Sequence, residues 1–139
     1  MIYHLVILLV LHFVADFLFQ TRTMGLNKGK SIMWLSIHVG VYLITFMVFG
    51  LIFADYIIDT SDGMLPILEF CILNASLHWI TDFITSKFSG LFYLKMLKSK
   101  KEGDRKKEYL WQYGFWSIIG LDFTIHIITL IYTYSLYFM

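Results

Sequence analysis

The sequence predicts an all-α integral membrane protein whose single domain, residues 1–139, is a bundle of four transmembrane helices. Of its 139 residues 58% are hydrophobic, whereas soluble domains contain about 45–50% apolar residues. The hydrophobic residues form long runs, and a helix needs about 20 of them to cross the hydrocarbon core of a bilayer. Four runs qualify as spans: residues 2–20, 32–54, 65–85 and 115–138.

Taken in order, each run is separated from the next by a polar connection. The first run lacks the basic region that precedes the apolar stretch of a cleaved signal peptide, and it contains His12 and Asp16, so we expect it to remain as a span. The connections follow as residues 21–31, 55–64 and 86–114.

The basic residues lie in only two of these connections. Three of the eleven Lys and Arg residues fall in residues 21–31, and the other eight fall in residues 86–114. The middle connection carries aspartates instead. The positive-inside rule therefore predicts a multi-pass membrane protein, with the first and third connections in the cytoplasm and both termini on the other side.

The third connection, residues 86–114, is long enough to contain structure of its own. Its first part alternates apolar side chains with lysines at near-helical spacing, which predicts a short amphipathic cytoplasmic segment lying along the membrane surface. Its basic residues could bind anionic lipid head groups or could only set the topology. The lipid bilayer is thus the expected partner. No nucleic acid is expected, and a homo-oligomer is left open.

Ionisable side chains lie inside all four predicted spans, although each costs about 2.5–3.5 kcal/mol at the bilayer centre. The first, third and fourth spans each carry a His and an Asp four residues apart, which places the pair on one helix face. The second span contributes one histidine. The seven side chains are His12, Asp16, His38, His78, Asp82, Asp122 and His126.

The order of His and Asp reverses with the predicted direction of each span. Spans one and three run toward the cytoplasm and read His-xxx-Asp, whereas span four runs away from it and reads Asp-xxx-His. At 1.5 Å per residue, all seven side chains lie about 5–16 Å from the inner ends of their spans. These overlapping depths predict a single polar site in the inner leaflet.

Imidazole and carboxylate ligands suit Zn, Mn or Fe. A metal site built from cysteines is excluded, because the chain has only one cysteine, Cys71. Seven ligands are too many for one tetrahedral ion. We therefore predict one divalent transition metal ion with supporting carboxylates, or two ions about 3.5–4 Å apart. Asp16, Asp82 and Asp122 are also the candidate catalytic residues. A hydrogen-bonded cluster without metal is the alternative.

Two further residues are candidate substrate-binding groups. Gln20 ends the first run, and Lys28 lies in the first connection, where its ammonium could hold a phosphate. Gln20 could equally make a hydrogen bond between helices, as we also expect for His4 and Asn74. Lys28 could serve topology alone.

Several of these residues fall in motifs, which are HFVADFLFQ (residues 12–20), Lys28, His38, HWITD (residues 78–82) and DFTIH (residues 122–126). Together they resemble a family of small bacterial and phage membrane proteins known as domain of unknown function 3307. The resemblance covers nearly the whole chain and implies a four-span membrane protein without implying an activity. Phe123 stands where that family often has Gln. The chain is also loosely similar to membrane proteins described as metal-dependent hydrolases, which is analogy only.

These features favour a membrane-embedded metal-dependent hydrolase that acts on a phosphoester or related bond of a lipid or amphiphile. A proton- or metal-ion-linked transporter is the main alternative, because buried Asp and His also mark ion pathways. A haem-binding protein or a non-enzymatic accessory protein comes third. Three of the four histidines named above as candidate ligands have a carboxylate one turn away. Haem-ligating histidines do not need such a carboxylate, so this pattern argues against haem.

Overall fold

A computed structural model describes residues 2–53 and 64–139, and the regular secondary structure within them is entirely helical. The described elements are α1 (Ile2–Phe13), a π-helical segment (Val14–Leu18), α2 (Arg22–Asn27), α3 (Ile32–Ile52), α4 (Leu65–Lys101) and α5 (Arg105–Phe138). The predicted end of the second span at Ala54 and the acidic connection up to residue 63 lie outside the described residues.

Three of the helices, α3, α4 and α5, are long and apolar enough to cross a membrane. The first predicted span corresponds to α1 together with the π-helical segment, Ile2–Leu18, which is apolar but shorter. All-helical structure is therefore confirmed for the described residues, whereas the complete four-span bundle remains a prediction.

Helix α4 corrects one prediction about the third connection. It runs without a break through the residues that we expected to form a separate amphipathic segment on the membrane surface. The physical reason is that the chain's one proline, Pro66, lies in the first turn of α4, where proline is tolerated. No later residue of α4 forces the helix to end before Lys101. The residues that we assigned to a separate surface segment therefore continue α4.

Helices α4 and α5 form one long hairpin. Beyond the predicted spans, the rings of Phe92 and Trp111 lie 5.8 Å apart, and the Lys95 ammonium lies 4.5 Å from the centre of the Trp111 ring. At the turn, Gly103 has a φ of 73°, a left-handed conformation that glycine adopts without strain. Asp104 then caps α5 by accepting a hydrogen bond from the Lys107 N–H.

The apolar core takes side chains from α1, α3, α4 and α5. Leu8 and Leu11 of α1, Phe46 of α3 and Phe70 of α4 are buried in this core. Large apolar side chains are also exposed on every long helix, as expected for surfaces that face lipid.

Candidate metal centre

Helices α1, α3, α4 and α5 each direct polar side chains into one buried site. We call it the His/Asp cluster, and its members are His12, Asp16, His38, His78, Asp82, Asp122 and His126. All are buried except Asp122, whose side chain is 18% exposed. The four helices thus bring together residues that are up to 114 positions apart in the sequence.

Four side chains form the first ligand group, which consists of Asp16, His38, His78 and Asp82. The His38 Nε2 lies 3.0 Å from Asp16 Oδ1 and 3.2 Å from Asp82 Oδ2. The His78 Nε2 lies 3.5 Å and 3.6 Å from the same two oxygens. The two Nε2 atoms are 3.3 Å apart.

These separations match a tetrahedral metal site. Ligands about 2.0–2.1 Å from a tetrahedral ion lie about 3.3–3.4 Å from one another. The five separations given above range from 3.0 to 3.6 Å, which is compatible with one ion held by the four atoms. The cluster can therefore hold a metal ion.

The second ligand group consists of Asp82, Asp122 and His126. The His126 Nε2 lies 3.4 Å from Asp82 Oδ1 and 3.4 Å from Asp122 Oδ1. The Thr85 hydroxyl donates a hydrogen bond to the Asp122 carboxylate. With three protein ligands rather than four, this group would leave one tetrahedral position open.

Asp82 belongs to both ligand groups and presents a different oxygen to each. Its Oδ2 faces His38 and His78, whereas its Oδ1 faces His126. The side chain is only 1% exposed, and it also pairs with a cation described below. Asp82 is therefore the side chain that joins the two halves of the cluster.

His12 lies beside the two ligand groups rather than within them. Its Nε2 is 3.8 Å from Asp16 Oδ2 and has no hydrogen-bond partner among the described residues. Its Nδ1 is 3.4 Å from the Tyr42 hydroxyl. The Tyr42 ring in turn stacks on His78, with centroids 4.2 Å apart. Tyr42 thus supports two of the histidines, a role that was not predicted for it.

The π-helical segment carries Asp16 into the cluster. In it the Phe19 N–H donates to the Val14 carbonyl at 3.0 Å, five residues back instead of four. Such wide turns are rare and often lie at functional sites. The segment ends α1 directly after the His12–Asp16 pair, so the chain can turn into α2 and the first connection.

Lys28 reaches the His/Asp cluster from the connection between α2 and α3. Its Nζ lies 2.9 Å from Asp82 Oδ2, and the side chain is 16% exposed. Burial by itself would lower the pKa of Lys28, but the carboxylates of Asp82 and Asp16 raise it above its ordinary value. Lys28 is therefore a cation at neutral pH that partly balances the cluster's negative charge.

Gly29 permits this approach, because a Cβ on it would lie 2.8 Å from the backbone carbonyl oxygen of Ser86 on α4. We expect Gly29→Ala to push the connection away from α4 and to cost about 1–3 kcal/mol of unfolding free energy, as overpacking usually does. Thermal melting in detergent would show a lower Tm. The matched control is Gly40→Ala, because a Cβ there meets nothing within 4 Å among the described residues. Equal melting of the two variants would contradict the close approach.

Gln20 and Ser86 each follow an aspartate of the cluster by four positions in the sequence. Gln20 is four residues after Asp16, and Ser86 is four residues after Asp82. The Gln20 Oε1 and the Ser86 Oγ are buried atoms without a hydrogen-bond partner among the described residues. Sequence reasoning missed Ser86 because it lies at the predicted start of a connection, although the spacing from Asp82 was visible.

Two pairs of polar side chains make hydrogen bonds outside the cluster. His4 hydrogen-bonds the Tyr134 hydroxyl at 2.9 Å, and the Asn74 amide donates to the Thr133 hydroxyl at 2.7 Å. Both are hydrogen bonds between helices, as expected for His4 and Asn74.

Comparison of the chain with known protein families, with curated proteins and with solved structures finds no match. The resemblance to domain of unknown function 3307 therefore stays a prediction. The function has to be inferred from the side chains of the His/Asp cluster.

Proposed function

We propose that this chain is a four-span membrane protein that binds two divalent transition metal ions and hydrolyses a phosphoester bond of a lipid or other amphiphile. The observation that carries the proposal is the position of Asp82 between two ligand groups, one oxygen facing each. A carboxylate in this position suits two ions about 3.5–4 Å apart, the arrangement found in many phosphoester-cleaving enzymes.

The donor set agrees with this chemistry. It contains only imidazole nitrogens and carboxylate oxygens, which suit Zn, Mn or Fe. Asp16, His38 and His78 would hold one ion and Asp122 and His126 the other, with Asp82 shared. Divalent ions bound there would polarise a phosphoryl oxygen and lower the pKa of water to near neutrality. His12, whose Nε2 has no hydrogen-bond partner among the described residues, is a further candidate ligand.

Asp122 is the best candidate for the general base. Its side chain is 18% exposed, against 6% for Asp16 and 1% for Asp82, so it is the carboxylate that an attacking water can reach. The Thr85 hydroxyl holds one of its oxygens. The carboxylate would accept a proton from the water as the water oxygen bonds to phosphorus and the bond between phosphorus and the ester oxygen breaks, and it would then return that proton to the departing alkoxide.

The distribution of charge supports the proposed membrane topology. The α4–α5 turn and the first connection carry the basic residues, which favours a cytoplasmic location for both. The His/Asp cluster lies at the same end of the bundle as these segments. Its substrate would then approach from the cytoplasm or from the inner leaflet of a bacterial inner membrane.

A second candidate function is a proton- or metal-ion-linked carrier. The observation that favours it is the Lys28–Asp82 ion pair, because paired charges inside a membrane bundle often mark ion pathways. A carrier would need the cluster to exchange its cation easily, whereas a hydrolase would retain it.

Metal analysis of protein purified without a His tag in mild detergent tests the proposal. We expect close to two transition metal ions per chain at neutral pH, with release on acidification because protonated imidazole cannot bind metal. The metal-loaded protein should hydrolyse phosphatidic acid or a prenyl phosphate. Protein that retains no metal would favour the carrier. Metal-loaded protein that hydrolyses neither substrate would support the metal site but contradict the proposed hydrolysis.

A further inference from the structure

Three polar residues surround the His/Asp cluster on the side that faces α2, and the proposed metal ligands do not include them. They are Gln20, Lys28 and Ser86. We propose that these three residues, which we call the anion site, bind the phosphate group of the substrate. The inference rests on the proposed two-metal function and adds the residues that recognise the phosphate group of its substrate.

The position of the anion site follows from the helices. Ser86 lies one turn beyond Asp82 on α4, and Gln20 lies in the short link between the π-helical segment and α2. Gly29 brings the chain next to Lys28 into contact with Ser86, whose Cβ lies 3.5 Å from the place where a Cβ of residue 29 would be. The Gln20 amide lies against α2, with its Nε2 3.2 Å from the corresponding position at Gly25.

Two of the three residues have a polar atom that lacks a protein partner. The Gln20 Oε1 and the Ser86 Oγ are buried, and neither has a hydrogen-bond partner among the described residues. A buried polar atom without a partner costs about 1–3 kcal/mol. Both atoms are therefore open to a group that the described residues do not supply. A phosphate can be that group, since it accepts from the serine hydroxyl and from the amide nitrogen that Gln20 offers on rotation.

The charge of the cluster selects an anion once metal is bound. With neutral histidines, three aspartates and Lys28 give a net charge of −2, and two divalent ions change it to +2. One ion would give a net charge of zero. A dianionic phosphate therefore suits the two-ion state, and the metal-free cluster would repel it.

Lys28 is the residue of the anion site that would respond most to metal binding. Without metal its Nζ pairs with Asp82 Oδ2, which is also an atom of the first ligand group. When Asp82 neutralises bound ions, its attraction for the Lys28 ammonium decreases. Lys28 is partly exposed and lies in a connection, so it can turn toward an arriving anion. A lysine binds phosphate as a point charge, which this short movement allows.

The test is the binding of inorganic phosphate to full-length protein in detergent, measured by calorimetry with and without added Mn²⁺ or Zn²⁺. We expect phosphate to bind only the metal-loaded protein. Lys28→Gln should weaken this binding at least tenfold, and Ser86→Ala should weaken it about tenfold, the loss of one hydrogen bond to a charged group. Lys30→Gln is the matched control, because Lys30 is an exposed lysine of the same connection. The metal content of each variant is measured in parallel.

Short-chain phosphatidic acid provides the second arm of the test. If it binds at least tenfold more tightly than inorganic phosphate and loses affinity in Lys28→Gln, the anion is a lipid head group. If phosphatidic acid and inorganic phosphate bind with equal affinity, and both bind more weakly to Lys28→Gln, the anion recognised by the site is a free phosphate.

Metal-loaded Lys28→Gln and Ser86→Ala that both bind phosphate like the parent would overturn the anion site and leave the metal centre intact. A parent protein that holds no metal would overturn the proposed function and the anion site together. Ser86→Ala removes only a hydroxyl, so it still decides the question if Lys28→Gln does not fold.

Discussion

Replacing Asp82 with asparagine should remove both metal ions from the protein. Asparagine offers one neutral oxygen in place of two charged ones, whereas the Asp82 oxygens face different ligand groups. His126→Ala should remove only one ion, because His126 belongs to the second ligand group alone. Elemental analysis of the purified variants should therefore give close to zero ions per chain for Asp82→Asn and close to one for His126→Ala.

Two control substitutions separate this effect from general damage. Glu69→Gln changes an exposed carboxylate on the same helix as Asp82, and His4→Ala removes a histidine that bonds Tyr134 away from the cluster. Both variants should retain two ions. Size-exclusion chromatography should show that every variant remains monodisperse. Loss of a single ion from Asp82→Asn would show that this carboxylate does not serve both groups.

The burial of Asp16 and Asp82, with the partly exposed Asp122 beside them, is the physical reason to expect metal at all. An unpaired ionised carboxylate in a low-dielectric interior is strongly unfavourable, and a buried ion pair offsets the cost only with good geometry. Lys28 is the one lysine or arginine that pairs with the cluster among the described residues. Two divalent ions would balance the remaining charge, which hydrogen bonds from neutral histidines do only in part.

The sequence was sufficient to find the residues that cluster. A His and an Asp four residues apart must share a helix face, and the reversed order in the last span fixed their relative depth. The structure places Asp82, His78 and His126 within one site, as that reasoning requires. Depth along a helix can be read from a sequence because the rise per residue is constant.

Contacts made by connections could not be predicted in the same way. Lys28 lies outside the helices of the cluster, and its pairing with Asp82 depends on the close approach of Gly29 to α4. The π-helical segment at Asp16 shifts one backbone hydrogen bond and leaves no distinct residue pattern. The length of α4 was underestimated for another reason. Hydropathy indicates where the apolar, lipid-facing part of a helix ends. The helix itself continues until a helix-breaking residue interrupts it.

Asp122→Asn should reduce kcat for phosphoester hydrolysis by about 10²–10⁴, the usual contribution of a general base. The amide keeps the shape and one coordinating oxygen of the side chain but cannot accept the proton of an attacking water. KM should change little, because the anion site is intact. The assay is run with Mn²⁺ or Zn²⁺ in excess and with the metal content measured, so that loss of an ion is not mistaken for loss of the base.

A substitution of Thr85 tests the same role of Asp122, with a smaller expected decrease in kcat. Thr85→Val removes the hydroxyl that holds the Asp122 carboxylate and should lower kcat by about tenfold, the equivalent of one hydrogen bond to a charged group. Thr124→Val is the matched control, since the Thr124 hydroxyl is exposed and bonds the Gly120 carbonyl of its own helix. That variant should keep the activity of the parent. A metal-loaded Asp122→Asn protein with undiminished kcat would exclude Asp122 as the base and leave the Asp82-bridged metal centre in place.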